Sequence, residues 1–310
     1  MKFSRRRAGV LVRSLGPWLL ASLVLAFLIV RVTFASLRTA LSRGPAGILI
    51  SYVSIQVMLT LVADTLATRA SLSCLGLKLS FAETLMMRGA SYLLGLINYG
   101  LGQSGIAYYL SKRGVKSMLA IGAVLFTIVT TLLALVVVAL MGASFISSGT
   151  TGTYARTAIL MSLVGVCGYL GVLKVVSRRY IHNSLTVPLV EAGVAGHLWA
   201  TVTRLPHVLV LVAGHWGAMY LWGIVVPFAE GFGLIALTLL VAALPISPNG
   251  LGTTQAVQVL FFSQYAKATV SDDRAAILLA FSLFYYACGV VAQSIVGFVC
   301  LVLSKRLSTN

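Results

Sequence analysis

The sequence predicts an all-α polytopic membrane protein, and three observations carry that fold class. Of the 310 residues 59% are hydrophobic and only 9% are charged, against roughly 25% charged in an ordinary soluble domain. The mean hydropathy is +1.00, which suits a chain whose solvent is mostly lipid. Charge-free apolar windows also recur along the whole length, each near the roughly 20 residues that one span needs. A soluble globular protein, a disordered chain and a collagen-like fibre are excluded. The spans leave no room for a soluble catalytic domain.

Six windows predict full spans, at 14–30, 44–63, 118–155, 157–173, 205–229 and 275–304. The first follows Arg5, Arg6 and Arg7 and precedes the small-residue run Phe34-Ala35-Ser36. Because a whole membrane protein follows, it reads as an uncleaved span rather than a secretory signal. The third window holds one span, closed by the turn Ser147-Ser148-Gly149-Thr150-Thr151-Gly152. Two further stretches, 89–111 and 231–266, are apolar but interrupted by Gly, Asn or Pro. Backbone polar groups in hydrocarbon must be satisfied internally, so such breaks survive only inside protein or beside water. Both stretches read as re-entrant helical hairpins, with a kinked ordinary span as the alternative. Between Arg179 and Arg204 the chain is less hydrophobic, with Pro188, Glu191, His197 and Trp199. An amphipathic interfacial segment is expected at about 183–204, entering the next span at Pro206.

The formal charge is +17, from 23 Lys and Arg against six Asp and Glu. The basic residues fall in short clusters between apolar stretches, with no stripe interleaved with aromatics. They read as a positive-inside signal and as headgroup contacts, not as a nucleic-acid surface. With both termini in the cytoplasm, six of the 23 lie outside, namely Arg31, Arg38, Arg43, Arg156, Lys267 and Arg274. Arg88 sits in the first hairpin and the other sixteen lie inside. The basic 31–43 loop runs against this rule. Cys74, Cys167, Cys288 and Cys300 are scattered without a C-x-x-C and read as packing residues.

The two interrupted stretches are related. One reads Asn98-Tyr99-Gly100-Leu101-Gly102-Gln103-Ser104-Gly105, the other Pro248-Asn249-Gly250-Leu251-Gly252-Thr253-Thr254-Gln255, about 150 residues later. In the expected topology, span, span, hairpin, span occurs twice in opposite orientation, over about 14–142 and 157–304. Inverted repeats with broken helices meeting near the midplane recur in secondary transporters. Helix N-termini starting after Gly102 and Gly252 would aim partial positive charge inward, suited to phosphate or carboxylate. Asn98, Gln103, Asn249 and Gln255 add neutral hydrogen-bonding groups.

These motifs also carry a family resemblance. The run 94–111, LGLINYGLGQSGIAYYLS, followed by Lys112-Arg113 and a long apolar span, resembles the first conserved region of the flippase-like family. That family is named for the transmembrane region of lysylphosphatidylglycerol synthase. The run 244–259, LPISPNGLGTTQAVQV, is similar to its second region. The order and spacing of apolar stretches agree over nearly the whole chain. The resemblance implies a single transmembrane domain over 1–310, in a stand-alone form without the synthase domain. It implies a plasma (cell inner) membrane protein that moves or presents lipids, anionic phospholipid or polyprenyl-phosphate-linked lipid among them. Relatives often have glutamate where this chain has Gln103 and Gln255, a departure that weakens any proton-carrying role there.

Ionisable residues at membrane depth are expensive and each needs a reason. Arg88 suits a bidentate phosphate contact or an ion pair with its neighbours. Asp64 is expected at the end of the second span, paired with Arg69 or Arg88. Arg204 is expected to anchor its span or face a headgroup, and Glu230 to be a solvated helix-end charge. His207 and His215 have no third ligand at metal spacing and read as core or interfacial. Tyr108, Tyr109, Tyr285 and Tyr286 suit an interfacial belt or a lipid groove. The candidate headgroup-binding residues are therefore Arg88, Asn98, Gly100, Gly102, Gln103, Arg113, Pro248, Asn249, Gly250, Gly252 and Gln255. No catalytic residue, metal or cofactor is expected. A lipid transporter with alternating access leads; a non-transporting, basic-faced partner of a lipid-modifying enzyme is the alternative, ahead of an intramembrane headgroup enzyme. No G-x-x-x-x-G-K-[ST] loop is present, so ATP hydrolysis by that route is not expected. A homo-oligomer is compatible with each reading.

Overall fold

The structure is a computed structural model that describes residues 34–96, 99–175, 185–244, 247, 250–268 and 271–307, together with 22, 23 and 26. The first expected span, at 14–30, therefore lies almost wholly outside the described residues, as do Asn98, Pro248 and Asn249. Among the described residues there are ten α-helices and no strand. In order they are α1 (Phe34–Arg43), α2 (Ala46–Ser73), α3 (Phe81–Gly95), α4 (Tyr99–Lys112), α5 (Ser117–Ala143), α6 (Thr150–Val175), α7 (Val187–Leu221), α8 (Phe228–Ala243), α9 (Thr253–Phe262) and α10 (Ser271–Leu307). Among the described residues four helical segments are long and apolar enough to cross a membrane: Ala46–Ser73, Ser117–Ala143, Thr150–Val175 and Asp273–Ser304.

Helix ends differ from the charge-free windows in an instructive way. α2 has 28 residues, about 42 Å at 1.5 Å per residue, and continues past the expected end at 63. Asp64 thus lies inside the helix, not at its mouth. α7 has 35 residues and runs through Pro206, with its break at Gly193 (φ 57°). Of the interfacial segment expected at about 183–204, residues 187–192 precede this break, and 194–204 run on without interruption into the helix that carries Pro206, so Arg204 falls within that helix. Its other end is Leu221, short of the expected 229, because Gly223 turns at φ 84° and Pro227 caps the start of α8.

The first hairpin is α3 and α4. Ser80 and Glu83 form a reciprocal capping box that starts α3, with Glu83 N–H donating to Ser80 Oγ (3.3 Å) and Ser80 N–H to Glu83 Oε2 (3.0 Å). α4 begins at Tyr99, so the expected helix start after Gly102 is not observed. Gly102 stays helical and lets the two helices touch: a Cβ there would lie 2.8 Å from the Gly95 Cα. In the second hairpin α9 does begin directly behind Gly252, which adopts φ 83°, a region that non-glycine residues enter only with strain.

α5 lies at the centre, with 56% of its apolar window buried, whereas α6 has only 11% buried. α6 presents Leu160, Met161 and Val164 outward. The main core gathers side chains such as Leu49, Val138, Met219, Leu234, Phe262 and Phe281 from across the bundle. A smaller cluster of Leu72, Met87, Ile106, Leu110 and Val124 seats the first hairpin. α2 packs against α7; α3 packs on α10, and α5 on α8. Likewise α4 meets α5 and α9 meets α10, while α2 meets α3 and α7 meets α8.

Candidate functional site

A charged cluster lies at the junction of α2, α3, α4 and α7. Asp64 projects from the middle of α2 and is 2% exposed, while Arg88 of α3 and Arg204 of α7 are 9% and 3% exposed. Arg88 Nε donates to Asp64 Oδ2 at 2.5 Å, and its Nη2 pairs with the same oxygen. Arg204 Nη1 donates to Asp64 Oδ1 at 3.2 Å. Thr68, one turn along α2, donates its hydroxyl to Oδ1 at 3.3 Å. Arg88 Nη1 reaches Gln103 Oε1 of α4 at 3.2 Å. One carboxylate thus serves two guanidiniums, and these three side chains carry a formal +1.

This cluster forms one side of a cavity of about 280 Å³ that His207 and Thr127 also line. Three residues apart, Arg204 and His207 share a face of α7. Two guanidiniums at the wall of one cavity offer paired N–H donors to an anionic group that enters it.

A second cavity, of about 210 Å³, lies under the second hairpin. Gly250, Thr254, Gln255 and Gln258 reach it from that hairpin, Gln56 from α2 and His215 from α7. Gln255 Oε1 accepts the Gly252 N–H at 2.6 Å, holding the first turn of α9. Tyr285 donates its hydroxyl to Gln56 Oε1 at 3.0 Å, and Gln258 Nε2 lies 3.2 Å from His215 Nε2. Thr60, Tyr92, Leu211, Leu239, Ala242 and Gln293 line both cavities. They form a shared wall between a charged chamber and a neutral one.

The expected site residues divide accordingly. Arg88 and Gln103 meet in the charged chamber, and Gly250 and Gln255 line the neutral one. Gly102 and Gly252 shape the hairpins without lining either. Gly100 is exposed in the first turn of α4. Arg113, at the far end of the hairpin, pairs with Glu83 and lies 5.8 Å from the Tyr109 ring centroid. Asn98, Pro248 and Asn249 lie outside the described residues.

The tertiary structure brings further residues to the site. Asp64 and Arg204 supply the charges at its centre, and Gln56, His215 and Gln258 supply the polar lining. Their signal in the sequence was the cost of charge and amide groups within apolar helices. Glu230 departs from its expected solvated state. It is 8% exposed and accepts the Ser147 N–H and the Tyr265 O–H, each at 2.5 Å. It thereby ties the start of α8 to the turn after α5 and to the end of the second hairpin. Among the described residues no three His, Cys, Asp or Glu side chains gather to hold a metal, and the four cysteines are free.

Comparison with known proteins yields no family model and no curated protein that matches this chain.

Proposed function

We propose that this chain is a plasma-membrane lipid transporter of the flippase-like class, which carries an anionic lipid headgroup between leaflets. The observation that carries the reading is the buried Asp64–Arg88–Arg204 cluster, whose two guanidiniums line a cavity. A lipid phosphate entering there meets both guanidiniums. Guanidinium offers it paired donors in a fork, while acyl chains remain in the bilayer beside the bundle. The incoming phosphate competes with Asp64 for the same two arginines, so binding loosens the contacts that join α2, α3 and α7. Transfer then proceeds past the shared wall into the neutral chamber.

In this reading the architecture is six full spans and two re-entrant hairpins, with both termini cytoplasmic and an inverted repeat. The helix pairings support it. Exchanging α2, α3, α4 and α5 for α7, α8, α9 and α10 turns the α3–α10 contact into α8–α5, and α4–α5 into α9–α10. Close glycine contacts occur in both of the long-range pairings, Gly89 against Cys300 and Gly142 against Gly233. Rocking one repeat against the other opens the chambers alternately. An enzymatic role is disfavoured because Asp64 is committed to two guanidiniums, whereas general acid–base chemistry needs a group poised to exchange its proton.

The test is leaflet exchange of labelled anionic lipid in liposomes holding purified protein, with Arg88→Gln and Arg204→Gln compared against wild type. Faster exchange by wild type, lost in folded arginine variants, is the expected result. Exchange no faster than in empty liposomes, across headgroups and with an imposed ion gradient, refutes autonomous transport and favours a partner-dependent role.

A further inference from the structure

The neutral chamber has a chemistry of its own. None of its described lining residues is Asp, Glu, Lys or Arg. Gln56 and Gln255 each use the amide oxygen within the protein, for Tyr285 and for the Gly252 N–H. Their amide nitrogens are left as donors. Gln258 spends one amide atom on His215. Its other polar atom, Oε1, is buried without a hydrogen-bond partner, and so is Thr254 Oγ1. Whichever way round the Gln258 amide is set, one of its polar atoms lacks a partner, and the side chain is 1% exposed. Buried polar atoms without partners are rare and call for a ligand or a bound water.

We propose that this chamber recognises an uncharged polyol esterified to the lipid phosphate, and that it disfavours a headgroup bearing an ammonium. The inference rests on the headgroup-binding reading above and adds the chemistry of the group beyond the phosphate. Each hydroxyl both donates and accepts, which suits a wall presenting amide donors beside an acceptor. The rings of Tyr285 and Tyr286 offer apolar surface to the C–H faces of such a group. An ammonium only donates. It would bring a charge into a chamber whose described lining holds no carboxylate, across one wall from two arginines.

The experiment offers purified wild-type protein, in detergent micelles, equal amounts of five lipids and measures what it retains by mass spectrometry. Phosphatidylmethanol supplies a phosphodiester without hydroxyls. Phosphatidylglycerol and phosphatidylinositol add a short or a ring polyol, aminoacylated phosphatidylglycerol adds an ammonium, and phosphatidylcholine is the zwitterionic reference. At least one polyol lipid should be retained about fivefold over phosphatidylmethanol, as one hydrogen bond warrants, and over the aminoacylated lipid. The larger of the two polyol signals identifies its source. Gln258→Leu should bring the ratio of polyol-lipid to phosphatidylmethanol retention down to about one. Equal retention of phosphatidylmethanol and both polyol lipids, or preference for the aminoacylated lipid, overturns the inference and leaves the phosphate reading standing. Retention of no anionic lipid above phosphatidylcholine removes the headgroup reading itself.

Discussion

Replacing Asp64 by Asn tests the charged cluster most directly. The change keeps the shape of the side chain and removes its charge, so the formal +1 of the three residues becomes +2. At 3.2 Å from Arg204 Nη1, and with an effective dielectric constant of about 20, the carboxylate contributes about 5 kcal/mol of gross Coulomb attraction to that arginine. Arg88 adds a second, closer pairing. Desolvation offsets part of this, and breaking one side of a buried pair costs about 3–5 kcal/mol net. Asp64→Asn should therefore destabilise the protein by that amount. Adding Arg88→Gln restores the +1 and should recover part of the loss, so the double variant is more stable than Asp64→Asn alone. Reversible unfolding in mixed micelles with increasing denaturing detergent reads both quantities, and the double-mutant cycle isolates the coupling. If Asp64→Asn matches wild type, or if the two changes simply add, the cluster is not the electrostatic unit argued above.

Other perturbations follow from the same geometry. Gly102→Leu should prevent the first hairpin from closing, since even its Cβ would sit 2.8 Å from Gly95 Cα; a loss of about 1–3 kcal/mol is expected from overpacking. Gly47→Ala, with nothing within 4 Å of the added Cβ, should leave stability in the mixed-micelle unfolding assay equal to or slightly above wild type. Glu230→Gln should cost about 1.5–3 kcal/mol through its charge-assisted bonds, and Tyr265→Phe about 1 kcal/mol, both read by unfolding in mixed micelles. Single cysteines at Ser80 and Ser111, in a background lacking the four native cysteines, should react with an impermeant reagent from the same face of the membrane. Labelling from opposite faces would falsify the re-entrant hairpin.

The sequence by itself determined the class of fold. Hydropathy and the dearth of charge are properties of composition, and they specify helices that must hide their own backbone in lipid. The paired motifs also marked two places where one helix ends and the next begins, because glycine suits the backbone turns and close approaches that other residues obstruct. Gly252 turns as its motif implies, while Gly102 acts instead as a contact surface inside α4. The sequence offered Arg69 or Arg88 as the partner of Asp64; what only the tertiary structure decided is that Arg88 takes that place, that Arg204 joins it, and that all three lie buried. Windows that stop at the first ionisable residue ended one span before Asp64 and began another after Arg204, so the edges of two expected helices became the centre of the site. The reason is that the cost of a buried charge depends on its partner, and these partners stand far apart in sequence. Arg88 lies 24 residues from Asp64 and Arg204 lies 140 away. Hydropathy counts residues one at a time, whereas the pairing that makes such residues tolerable exists only after α2, α3 and α7 have packed.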